Sequence, residues 1–527
     1  MKKFLALIAM FGLLMVSCSD DDTVTTTPDP TPDPITYTSG SADFTKYVSL
    51  GNSLTAGFSD AALFQSGQAA SFPNMLATNF ALAGGGEFNI PLMTDDLGGL
   101  TLGGTPIAGN RLILSFESGS PTPVPVQGQG STEVSNVLSG PFNNMGVPGA
   151  KSYHLLAPGY GNVAGVQAGL ANPYFARFAS APDATILGDA AAQSATFFSL
   201  WIGNNDVLGY VTAGGAGVDQ TGNIDPSTYG GSDISDPNVV AGTIDGILQT
   251  MTANNAEGVI ANIPDVTTIP FLTTVPYNPL DPTNPAFGPQ IPTLNAQFAG
   301  LNQVFAALNV PERQIVFSSD AASAVIIKDE NLTDLSAQIT GALQMFGVDA
   351  ATATVTGFVY GQARQANAND LLVLTSSGII AQPNENAIAT LQGLGLPAAS
   401  AAQLAINGVT WPLDDQWVLT PEEQETANNA VTAFNQAIEA LATQYDIAFV
   451  DANSLLVELG TSGFTLADGS VVNATFGTGG GFSLDGVHPS PRGYAILANA
   501  FVEAINTKYG SNLPGVNPLN FTGLYIN

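Results

Sequence analysis

Short apolar runs alternate with longer stretches in which apolar residues recur every three or four positions. Residues 46–50 (KYVSL), 196–202 (TFFSLWI), 258–263 (GVIANI), 314–317 (QIVF) and 447–450 (IAFV) are rich in β-branched and aromatic side chains and are bounded by turn residues. Such continuous runs predict strands buried on both faces of a parallel sheet. Between them, Ile244, Ile247, Leu248 and Met251 fall on one helical face. Thr420-Pro421-Glu422-Glu423 supplies an N-cap, a first-turn proline and a capping-box glutamate for a helix presenting Ala427, Val431, Phe434, Ile438 and Leu441. A last helix presents Tyr494, Leu497, Phe501 and Ile505 and stops at Lys508 and Gly510. Residues 464–473 (FTLADGSVVN) carry Asp-Gly between apolar runs, a hairpin signal. Strands alternating with helices define an α/β fold with a mainly parallel sheet.

Three stretches interrupt this rhythm, at about 84–141, 209–237 and 319–411, and read as insertions into a single domain spanning 41–527. The N-terminus is of another kind. Lys2 and Lys3 precede the unbroken apolar run 4–16, which is shorter than the ~20 residues that span a bilayer and reads as a secretory signal. Residues 23–34 (TVTTTPDPTPDP) predict an extended linker.

Composition narrows the function. The chain has 527 residues, 43 acidic against 11 basic, and a net charge of −32. Phosphate binding needs clustered Lys and Arg, so nucleic acid is not an expected partner. Only 10% of residues are charged, against about 25% in ordinary soluble domains, so much of the surface must be Ser, Thr, Asn, Gln and Gly. With one cysteine and two histidines, a disulfide framework and Cys- or His-rich metal sites are excluded.

One histidine stands in a suggestive place. In residues 484–494 (LDGVHPSPRGY), Asp485 precedes His488 by three positions, a spacing that lets a carboxylate fix the imidazole tautomer and leave the other nitrogen as a base. Ser53 follows the first apolar run in residues 47–58 (YVSLGNSLTAGF), at the strand end where open parallel sheets place their ligands.

These segments resemble the sequence blocks of the SGNH (GDSL-type) hydrolases, a family of esterases and lipases. GNSL at 51–54 resembles the family's first block, NMGVPG at 144–149 the second and GNND at 203–206 the third. Asp485 and His488 match the last. The resemblance implies a three-layer α/β/α, flavodoxin-like fold and a Ser53–His488–Asp485 mechanism. It also implies an oxyanion hole from Ser53, Gly149 and Asn205, with no metal or cofactor. The chain departs from the family in Asn52, where the block carries Asp, and in its long gaps between blocks. His154 is expected on a surface loop, Asp206 as a turn-stabilising residue and Trp201 in the core.

Met15-Val16-Ser17-Cys18 resembles the lipobox of bacterial lipoproteins, and Asp20, Asp21 and Asp22 resemble the export signals of Bacteroidetes surface lipoproteins. The resemblance implies cleavage after residue 17, lipidation of Cys18, a linker over 18–40 and an outer-membrane or cell-surface location. The expected molecule is a monomeric, lipid-anchored carboxylic ester hydrolase acting on a lipid or an acylated carbohydrate, including carbohydrate deacetylation. A surface binding or adhesion lipoprotein on the same scaffold is the alternative. Cys18→Ser should abolish membrane fractionation of the expressed protein; a variant that stays in the membrane pellet contradicts the anchor.

Overall fold

Five short strands with almost no exposed side chains build the centre of the molecule. The computed structural model describes residues 35–117 and 119–526, so the expected signal peptide, Cys18 and most of the linker lie outside the described residues. From Tyr37 onward the chain is one compact unit. The strands are β1 (Tyr47–Gly51), β2 (Asn144–Gly146), β3 (Phe197–Trp201), β4 (Glu257–Ala261) and β5 (Ala448–Val450), all parallel, in the order 2-1-3-4-5.

Alternate side chains of each strand enter different cores. Val48, Leu50, Phe198, Leu200 and Ile260 pack on one face against α4 (Pro237–Thr252) and α6 (Pro421–Gln444). Tyr47, Phe197, Trp201, Val259 and Val450 pack on the other against α2 (Phe72–Ala81) and α7 (Pro491–Tyr509). Phe72 of α2 and Phe501 of α7 stack with ring centroids 4.5 Å apart. With both faces covered, the strands have no need of polar residues, which is why their apolar runs are continuous. The helix ends follow the local code. Glu423 accepts the N–H of Thr420 at 2.6 Å, and Gly510 closes α7 at φ 68°. The expected hairpin forms between Phe464–Thr465 and Val471–Val472.

Two strand expectations change. Residues 144–146 form β2, the sheet edge beside β1, although they offered no apolar run. The side chain of Asn144 does part of the work there, donating to the Thr55 carbonyl and accepting the Gly146 N–H. Residues 314–317 are extended but join no sheet. They lie along α5 (Ile291–Ala307), whose Asn302 and Asn295 side chains pair with both backbone groups of Ile315 and of Phe317. Side-chain amides replace the neighbouring strand, so the apolar run is buried without a ladder.

That segment belongs to a separate apolar core running from Val275 to Val418, in which α5 packs with a two-stranded antiparallel pair, Ile326–Lys328 and Ala363–Gln365. The stretch 84–141 carries two small sheets of short strands. Asn302→Leu leaves the buried N–H and C=O of Ile315 unpaired and should cost about 1–3 kcal/mol in denaturant unfolding; an unchanged midpoint contradicts the ladder-replacing role.

Candidate functional site

Three of the predicted site residues follow the C-terminal ends of three adjacent strands. Ser53 opens the one-turn helix α1 (Ser53–Ala56) after β1, Gly149 follows β2, and Asn205 opens α3 (Asn205–Thr212) after β3. In the order 2-1-3-4-5 the chain runs outward from β1 to β2 and returns to β3 on the other side. Ser53 and Asn205 therefore flank the crevice where the winding reverses, the usual ligand position in open α/β sheets. α1 lies very close to β2, and Gly146 permits it: a Cβ there would sit 2.3 Å from the Ala56 nitrogen.

The loop entering α7 brings the remaining groups. His488 Nε2 is 2.8 Å from Ser53 Oγ, and its Nδ1 is 2.9 Å from Asp485 Oδ2. The other Asp485 oxygen accepts the N–H groups of Val487 and His488. Burial alone would push the Asp485 carboxyl up. His488 and these donors outweigh it and hold the group at about 2, so it stays ionised beside the imidazole.

Two residues that no sequence pattern singles out hold this loop. Asp60 and Ala61 both adopt positive φ, 50° and 64°. Ala61 N–H donates to Asp485 Oδ2 at 2.9 Å, Asp60 N–H donates to Ser483 Oγ, and the Asp60 carboxylate accepts the Leu484 N–H. The turn thus clasps the 483–488 loop from the far end of the chain. No periodicity or motif marks the turn, because its pairing with the 483–485 loop is defined only by the fold.

Asn52 is fully buried and ties two of the strand ends together. Its Oδ1 caps α1 by accepting the Leu54 N–H, and its Nδ2 donates to Asn204 Oδ1 at 3.0 Å, next to Asn205. A carboxylate could make the first bond but not the second as the amides stand. Asn205 Nδ2 donates to the Ala150 carbonyl at 2.9 Å, which leaves that nitrogen a second proton. Gly149 has φ 80°, a conformation that side chains resist, and open space where a Cβ would be, with Asn172 Nδ2 the nearest atom at 3.8 Å.

The segment after Gly149 is locked from below. Asp206, fully buried, accepts the N–H and Oγ–H of Ser152. Lys151, also buried, donates through Nζ to the carbonyls of Asp233 and Gly230, which fastens the 209–237 stretch to the site. Asp206 thus ties the Ser152 segment to the start of α3 and does not brace its own turn as expected, while Trp201 is core, its indole N–H donating to the Asn262 carbonyl. His154 departs from expectation. It is half-buried, its ring stacked on Tyr160 at 4.3 Å, and its Nδ1 accepts the Lys151 N–H. Burial, with the Lys151 charge adding, lowers its pKa to about 4.

Among the described residues, one group of carboxylates could approach a cation together: Glu330, Asp415 and Glu423, with oxygens within 4.8 Å. Glu423 is already the capping residue of α6. Burial and its hydrogen bond to Glu330 push the Glu423 carboxyl above the usual carboxylate range.

Burial, opposed by the Leu484 amide and aided by the Asp485 charge, raises Asp60 from 3.8 to about 6. Folded Asp60 thus binds its proton more tightly than unfolded Asp60. The resulting stability is full below pH 3.8 and is lost as pH rises through about 6. Asp485 has the opposite sign: its contribution is present above 3.8 and is lost as pH falls towards about 2. Asp60→Asn keeps an acceptor for Leu484 and should flatten the fall in unfolding free energy between 3.8 and about 6. Denaturant melts across that window measure it, and an unaltered slope contradicts the assignment. No protein-family model, curated protein or solved structure matches the chain.

Proposed function

We propose that the protein is a carboxylic ester hydrolase of the SGNH type, held outside the cytoplasm by a lipid on Cys18. Its sheet, covered by helices on both faces in the order 2-1-3-4-5, fits the three-layer, flavodoxin-like architecture of that family. The observation that carries the reading is the relay from Ser53 through His488 to Asp485, with links of 2.8 and 2.9 Å, closed between a serine and a histidine 435 residues apart.

The chemistry is acyl transfer in two steps. His488 Nε2 takes the proton of Ser53 as Oγ attacks the ester carbonyl, and Asp485 stabilises the imidazolium that forms. The carbonyl oxygen becomes an oxyanion, accepted by the N–H groups of Ser53 and Gly149 and by the free Nδ2 proton of Asn205. As the first amide of α1, Ser53 N–H has no partner within the helix. His488 then gives its proton to the leaving alcohol, and the acyl group stays on Ser53. In the second step His488 activates water, which releases the acid and restores the serine.

Asn52 does not enter this chemistry. It holds the nucleophile turn to the Asn205 turn with a neutral amide, so no extra negative charge opposes the oxyanion.

The purified protein should hydrolyse p-nitrophenyl acetate and be labelled on Ser53 by a fluorophosphonate. Ser53→Ala should abolish both, and Asn205→Ala should lower kcat by about 10²–10³ while labelling persists more slowly. A wild type that neither hydrolyses esters nor takes the label contradicts the proposal.

A further inference from the structure

A cleft of about 1110 Å³ opens beside the oxyanion loop, between the one-turn helix Ser152–Leu156, residues 169–173 and residues 224–229. It shares a wall with the site. Asn172 lines the cleft and donates through Nδ2 to the Pro148 carbonyl at 2.8 Å, in the peptide unit that carries the Gly149 N–H. His154, two residues along the wall from Ser152, accepts the Lys151 N–H and so is fixed to the same loop.

The lining has a definite chemistry. Tyr153, His154, Tyr160 and Tyr229 form the walls. His154 lies flat on Tyr160, and Tyr153 meets Tyr229 edge-on at 5.8 Å. Among the described residues, no Asp, Glu, Lys or Arg lines the cleft, in a chain of net charge −32, and His154 is held neutral well into the acid range. At the rim, Leu170 is 79% and Ile224 74% exposed, among the most exposed large apolar residues of the molecule. An ionic group entering here would lose water and find no counter-charge, whereas an apolar group would cover surface already exposed.

The position also selects which half of an ester belongs in the cleft. The leaving oxygen must reach His488 Nε2, and no residue of the 483–490 loop lines the cleft. That leaves the cleft, which adjoins the Pro148–Gly149 peptide, to the acyl half. A second apolar cavity touches Leu54, Val487 and Pro489, but its volume of about 90 Å³ falls below the ~150 Å³ that holds a benzene ring.

We infer that the cleft is the acyl subsite and takes a bulky, uncharged, apolar acyl chain between the tyrosine walls and the lips formed by Leu170 and Ile224. This rests on the ester-hydrolase reading. The experiment compares kcat/KM for p-nitrophenyl octanoate and p-nitrophenyl acetate in the wild type, Leu170→Asp, Ile224→Asp and Leu170→Met. Both rim residues are exposed, so the aspartates should leave the fold and acetate turnover unchanged. The wild type should prefer octanoate. Each aspartate should lower kcat/KM for octanoate by at least about tenfold, the scale of a lost hydrophobic pocket contact, and Leu170→Met should retain it. An active wild type with no octanoate preference, or aspartate variants that leave octanoate untouched or reduce both esters equally, overturns the subsite alone. A wild type inactive on both esters and unlabelled at Ser53 overturns the hydrolase reading, and the subsite falls with it.

Discussion

Four hydrogen bonds converge on the carboxylate of Asp485, from the backbone amides of Ala61, Val487 and His488 and from the His488 ring. The site depends on that convergence. Two of the bonds curl the 485–488 loop on itself, one orients the imidazole towards Ser53, and the fourth reaches across to a turn near the start of the folded chain. An ionised, largely buried carboxylate is costly unless such donors surround it. The loop, the clasp and the charge therefore stand or fall together, and the imidazole geometry follows from all three.

The sheet makes this arrangement possible. A parallel strand delivers its C-terminal end to the same edge as its neighbours, so residues 53, 149 and 205 arrive side by side although long stretches separate them. The added material is joined to that edge and does not stand apart from it. Lys151 directs its buried ammonium to carbonyls of the 209–237 stretch, and the tyrosine cleft lies where that stretch meets the loop after Gly149. The core from Val275 to Val418 is different in kind, since it closes around its own helices and needs the sheet for none of its internal packing.

Residues that obey a period could be read directly. The faces of α4, α6 and α7 and the runs of β1, β3, β4 and β5 are set by burial on a repeating geometry, so the pattern is written along the chain. Where burial is achieved without the period, the pattern misleads. β2 is three residues long, begins with Asn144 and ends in a glycine, and its place is secured by side-chain bonds and a close approach to α1. Residues 314–317 have the composition of a core strand, yet amides of Asn295 and Asn302 take the part of the missing neighbour. His154 gave no local sign that two tyrosines would enclose it.

By itself the sequence determined the α/β class, the helix faces and the candidates Ser53, Gly149, Asn205, Asp485 and His488, because hydrophobic period and short-range motif chemistry are local properties. Only the tertiary structure decided that Ser53, His488 and Asp485 meet beside the strand ends carrying Gly149 and Asn205, that Asp60 and Ala61 hold the loop, and that a charge-free tyrosine cleft adjoins the Pro148–Gly149 peptide. Those facts depend on contacts between residues tens to hundreds of positions apart. Such contacts are fixed by the packing of α1 on β2 and of the 483–488 loop on the Asp60 turn, and no stretch of chain carries them alone.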